Sequence, residues 1–151
     1  MNKTERIGMV RRVVDDIERR KAQALAESEK SVAAAQAKLE ELEAYRAAYL
    51  GEFTRRAGAG MSGAGAREYQ VFLTRLDEAL RQQTQILSQA RVQQGAELES
   101  WRNAARRAAA VGNLASHWLA EERVAADKVE QKESDEHSQQ LWSRRTSVHG
   151  G

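Results

Sequence analysis

The chain has no cysteine, no proline and little aliphatic bulk. Without cysteine there is no disulfide framework and no thiolate to complete a zinc site, and a reducing compartment is permitted. Without proline, nothing of that kind interrupts a helix from within. No apolar run approaches the ~18 residues of a membrane span. The opening MNKTERIGMVRRVVDD has no long apolar stretch before its acidic pair, so it does not read as a signal peptide, and the chain reads as cytosolic. Leu, Ile, Val and Phe together supply only 27 of 151 residues, below the ~20% at which an ordinary globular core becomes doubtful. Much of the 41% hydrophobic content is alanine, which covers little area. Disorder is the usual alternative, but 24 basic against 22 acidic side chains leave a net charge of only +2.

What the chain does have is Ala, Glu, Lys, Leu and Arg, which make up 79 of its 151 residues, the composition of coiled coils and long helices. The one break in the helical pattern is AGAGMSGAG at 57–65, with glycine at 58, 60, 63 and 65. The sequence therefore predicts an all-α chain that is a single elongated domain over 1–151. It comprises a helix over 3–56, a glycine-rich loop over 57–65, a helix over 66–143 and a disordered tail over 144–151. Asn2 followed by Glu5 resembles a capping box at the first helix start. Such helices would be about 80 and 115 Å long, and helices of that length persist in water only if a partner covers their apolar stripe.

The stripe is legible. In the first segment it runs Ile7, Val10, Val14, Ile17, Leu25, Ser28, Val32, Ala35, Leu39, Leu42, Arg46, Tyr49, Phe53, alternating steps of three and four except for a stutter across Lys21. In the second it runs without interruption from Tyr69 through Leu76, Leu87, Trp101, Ala104, Ala115 and Trp118 to Val129. A short loop between two such helices folds them back antiparallel. Pairing Phe53 with Tyr69 makes paired residue numbers add to about 122, which sets Met1 beside Glu121. The second helix then overshoots from Glu122 onward. Gly95 and Gly112 weaken it by about 1 kcal/mol each relative to alanine.

The motifs of catalysis are weak. GAGMSG at 58–63 fits G-x-G-x-x-G in letters, but the dinucleotide fingerprint needs a strand before it, and here a long helix precedes it. His117, His137 and His149 belong to no metal-binding pattern, and His117–Glu121 and Glu133–His137 have the spacing of surface pairs on a helix. A two-helix rod has almost no concave interior for a catalytic set. No enzyme, cofactor or metal is expected. The basic residues Arg11, Arg12, Arg19, Arg20 and Lys21 are diluted by Asp15, Asp16 and Glu18, unlike a nucleic-acid stripe. The apolar residues of 7–17 serve the hairpin core rather than a membrane surface.

One region carries more apolar bulk than a two-stranded seam uses. All three tyrosines and both phenylalanines lie between 45 and 72, and Tyr45, Leu50, Val71 and Phe72 are left flanking the seam. Clustered flanking aromatics make a docking patch, and the plain alternative is a thickened core that keeps the hairpin end from fraying.

The run Y45-RAA-Y49, the glycine loop with Met and Ser, EYQVFLTRLDEAL at 68–80, S100-W101-R102 and QKESDE at 131–136 together resemble the FliJ family of bacterial flagellar export proteins. The resemblance covers nearly the whole chain and is most specific over 38–83 and at Trp101–Arg102. It implies a non-enzymatic antiparallel coiled coil of the flagellar type III export apparatus, similar to the rotor stalk of rotary ATP synthases. Its terminal end would enter the pore of the hexameric export ATPase, for which Val10, Val14, Val129 and Trp142 are the candidate contacts. The loop-proximal part would bind the cytoplasmic domain of the export-gate membrane protein. The family's gate-binding surface falls on Leu42, Tyr45, Tyr49, Phe72, Leu76 and Ala79, with Lys38 and Gln83 at its rim, where glutamine and histidine are expected in enterobacterial members. Export chaperones are further implied partners, with self-association left open and neither nucleic acid nor direct membrane insertion expected. The implied location is the cytoplasmic face of the inner membrane at the flagellar base. The alternatives are a general coiled-coil adaptor, for example of a virulence type III system, and a nucleic-acid-binding helical hairpin.

Overall fold

The computed structural model describes residues 1–149. It consists of two helices, α1 (Lys3–Ala59) and α2 (Gly63–His149), with no strand among the described residues. They pack against each other as an all-α antiparallel hairpin, the fold that the heptads require of two long helices joined by a short loop. Helix α1 begins where its cap predicts. Asn2 Oδ1 accepts a hydrogen bond from Glu5 N at 2.8 Å, and the Asn2 carbonyl accepts the first helical bond from Arg6 N at 3.1 Å.

The connection is shorter than the glycine density suggests. Only Gly60, Met61 and Ser62 lie outside the helices, so the expected loop over 57–65 shrinks to 60–62. The reason is that only Gly60 takes a positive φ, at 100°, while its N–H reaches the Ala57 carbonyl at 3.3 Å and closes α1. Ser62 caps the next helix at once. Its Oγ accepts from Gly65 N at 3.1 Å and its carbonyl from Ala66 N at 3.0 Å. Such a cap, typically about 1 kcal/mol, offsets part of the helix cost of Gly63 and Gly65, about 1 kcal/mol each. At the other end α2 runs to His149 rather than stopping at 143, so 144–149 of the expected tail are helical. Thr146 Oγ1 and Ser147 Oγ donate to the carbonyls of Trp142 and Arg144, and no glycine interrupts until 150. Gly150 and Gly151, the rest of that tail, lie outside the described residues.

Where one domain over 1–151 was expected, the chain falls into two compact units. The first is Met1–Ile17 with the α2 residues from Ala105 onward, and the second is Glu18–Ala104. The division falls next to the stutter around Lys21 on α1 and inside the alanine run that starts at Ala104 on α2.

In the second unit the stripe is buried or half-buried throughout, with Ala35, Leu76, Leu87 and Ala104 as its most enclosed apolar members. Ser28, a hydroxyl in the seam, is buried but satisfied, donating to the Leu25 carbonyl at 2.7 Å. Trp101 fills the space opposite the stutter, and its Nε1 donates to Glu18 Oε1 at 2.9 Å. Phe53 meets Tyr69 at 5.3 Å between ring centroids, and Tyr49 meets Phe72 at 4.4 Å, which fixes the pairing sum near 122.

In the first unit Ile7, Val14 and Ala115 form the buried seam, with Trp118 half-buried beside them. Lys3 closes its edge, with Nζ 4.1 Å above the Trp118 ring and 4.0 Å from Glu121 Oε2. Gly112 sits beneath the Arg11 guanidinium, which a Cβ there would meet at 3.7 Å. That is ordinary van der Waals distance, so an alanine there would also fit beneath the arginine. Every described side chain from Glu121 to Ser147 is exposed.

Candidate functional site

The aromatic cluster near the loop lies wholly in the second unit. Helical spacing puts Tyr45 and Tyr49 one turn apart on α1, and antiparallel pairing brings Phe72 of α2 between them. The Tyr45 and Phe72 rings meet edge-on at 6.0 Å and 77°, Tyr45 and Tyr49 stand 6.4 Å apart, and Tyr49 also stacks on Tyr69 at 4.9 Å. Edge-to-face and tilted pairs of this kind contribute about 0.5–1.5 kcal/mol each beyond the area they bury. Burial first, then the neighbouring Tyr69 and Tyr45 phenols and the Glu52 and Glu68 carboxylates, raise the Tyr49 hydroxyl above its ordinary pKa.

These residues differ in what they offer a partner. Tyr45 is 52% exposed and stands on the half-buried Phe72. Leu42, Tyr49 and Ala79 are half-buried around them, and Leu76, at 7%, lies beneath them as the floor of the cluster. A cavity of about 540 Å³ opens against Lys38, Glu41, Leu42, Ala44 and Tyr45. The two rim residues are already engaged. Lys38 Nζ lies 3.6 Å from Glu41 Oε2, and Gln83 Nε2 donates across the hairpin to the Ala35 carbonyl at 3.1 Å. The resemblance places Gln83 at the rim, and in the structure its amide also braces the seam. Leu50 and Val71 are exposed but stand elsewhere on the heptad wheel, on the opposite edge and on the outward face.

Of the terminal candidates, Val14 is buried in the first unit's seam and Val10 is exposed beside it. Val129 and Trp142 are 58% and 70% exposed, separated by about 20 Å of helix. Sequence reasoning missed Ile86, which is half exposed one heptad beyond Ala79. The signal was the seven-residue spacing, which a search for aromatics passes over.

Among the described residues no group of three or more His, Cys, Asp or Glu side chains could hold a metal ion, and no helix is long and apolar enough to cross a membrane. The glycine motif at 58–63 spans the hairpin loop at 60–62 and the helix ends beside it.

A proline-free antiparallel hairpin of two long helices, with an aromatic patch by its loop, is the architecture of a coiled-coil protein. The family model described as Flagellar FliJ protein matches residues 3–147, and the chain belongs to that family. It is thereby a component of the flagellar type III export apparatus, in a family of non-enzymatic export proteins. No curated protein and no solved structure matches the chain.

Proposed function

We propose that the chain is a coiled-coil stalk that links the export ATPase ring to the cytoplasmic domain of the export gate and escorts export chaperones at the cytoplasmic side of the flagellar base. The observation that carries the gate contact is the Tyr45–Phe72 pair. It is an exposed ring standing edge-on against a half-buried one, at an open edge of the seam, in a chain of this family. Tyr and Phe in such a setting supply large contact area at low entropic cost. Leu42, Tyr49 and Ala79 complete the surface, Leu76 supports it from beneath, and Lys38 borders it.

The ring contact is assigned to Val10, Val129 and Trp142, with Val14 supporting Val10 from the seam. The support here is a helical segment from Glu122 to Ser147 in which every side chain is exposed. The protein would couple ring to gate by occupancy, not by chemistry. That requires unequal affinity for the states of the ring or of the gate, since equal affinity shifts nothing.

The test is binding of the full chain to the cytoplasmic domain of the export gate, with and without the export ATPase. Tyr45→Ala combined with Phe72→Ala is expected to weaken binding at least about tenfold while helicity by circular dichroism is retained. Binding retained by the folded double variant would overturn the assignment of the site. No binding by the wild type under either condition would overturn the stalk reading itself.

A further inference from the structure

The two edges of the hairpin between the loop and residue 93 are built differently. One carries the polar bonds that cross between the helices. There Arg46 Nε donates to Asp77 Oδ1 at 2.6 Å, and Arg91 Nη2 donates to Gln36 Oε1 at 3.1 Å. The other edge, which bears Lys38 and Tyr45 on α1, presents Phe72, Ala79 and Ile86 on α2. These three are seven residues apart, so they form a single row along α2, about 21 Å from end to end. Ile86 is 51% exposed, as much as Tyr45. On the α1 side of this edge, Lys38 pairs with Glu41 on its own helix and not across the seam.

A lone exposed aliphatic residue calls for no explanation, and Val92, 72% exposed on the outward face, is one. Ile86 differs because it ends a row that begins where exposed Tyr45 stands on half-buried Phe72, on the edge away from the Arg46–Asp77 and Arg91–Gln36 bonds, with the Gln83 amide beside it turned into the seam toward Ala35. The residues beside Ile86, Gln82, Gln83 and Gln89, are uncharged amides, while Glu68 and Arg75 border the row nearer the loop, so its Ile86 end selects for apolar contact with polar borders. Two helices wide and about 20 Å long, the edge offers about 400 Å², half the ~800 Å² per partner of a standard stable interface. That size suits a partner that docks and leaves, and falls short of what a second copy of the chain needs for a lasting dimer.

The geometry points to Ile86 as the far anchor of the docking surface that starts at Tyr45 and Phe72, its occupant being an element of the export gate's cytoplasmic domain that is apolar where it meets Ile86. This rests on the gate-docking reading of the Tyr45–Phe72 patch. Ile86→Glu leaves the seam intact, because the side chain is outside it, and places a carboxylate in the row. Val92→Glu is the matched control on the outward face.

The experiment measures affinity of the full chain for the gate's cytoplasmic domain, with sedimentation of each variant alone. The expected result is at least about a tenfold loss for Ile86→Glu and no change for Val92→Glu, with both as helical as wild type. Undiminished binding by Ile86→Glu, where Tyr45→Ala with Phe72→Ala abolishes it, would overturn the inference and end the surface at Ala79. A wild-type dimer that Ile86→Glu dissociates, with gate affinity unchanged, would overturn it by giving the edge to a second copy. Failure of the wild type to bind the gate would instead sink the reading on which the inference rests.

Discussion

The loop-proximal residues 38–83 and the segment 121–147 are both continuous helix, yet they are helical for different reasons. Around the loop the helix is held by packing. Four ring pairs across the seam, the Arg46–Asp77 bond and the buried Leu76 tie the helices together. From Glu121 to Ser147 every side chain is exposed, and helicity rests on local propensity alone. Isolated helices of that kind are marginal in water, because most helical stability in proteins comes from a buried face. The contrast teaches that a stripe continued in sequence, through Glu122, Ala125 and Val129, is no proof of a buried face. What decides is whether the partner helix is long enough to meet it, and α1 begins at Lys3, opposite Trp118 and Glu121.

The comparison breaks most directly under hydrogen exchange. Opening free energies range from near zero to the global stability, so amides of 68–83 should exchange slower than those of 125–145 by about a thousandfold or more. Equal protection in the free chain would mean that the extension is held by something it packs against. The next largest effect sharpens the loop end. Leu76→Ala removes a side chain that is 7% exposed and should cost about 2–4 kcal/mol by denaturant titration. A loss under about 1 kcal/mol would show that the aromatic cluster, and not the seam beneath it, holds that end together.

Much of this fold was legible because it is periodic. The stripe fixed the two helices, their antiparallel sense and the overshoot, and the surplus of aromatics around Tyr45 and Phe72 marked the patch. The loop boundaries were misjudged because glycine counting treats each glycine alike. Only Gly60 uses the positive φ that excludes helix, and Ser62 supplies a cap that makes the neighbouring glycines tolerable. Side-chain commitments were also out of reach. A heptad position does not reveal that the Gln83 amide turns inward to Ala35, or that Lys38 is held by Glu41. Leu76 and Tyr45 looked alike as site residues, and the structure separates them into floor and surface.

The smallest expected change in stability is the one that tests the extension. Val129→Ala with Trp142→Ala truncates two side chains that are 58% and 70% exposed, in a segment where no described side chain is buried. Alanine is at least as good a helix former as either residue, so the folded chain loses no packing and no propensity. Denaturation midpoints should stay within the ~0.5 kcal/mol typical of surface substitutions. If both side chains instead contact the export ATPase, the same variant should bind the ATPase about tenfold more weakly while keeping its affinity for the gate. A destabilised variant would mean that the extension is covered in the free chain, and the contrast with the loop end would collapse. A stable variant with unchanged ATPase affinity would leave the contrast standing but move the ring contact to other residues of the first unit, with exposed Val10 the next to be replaced.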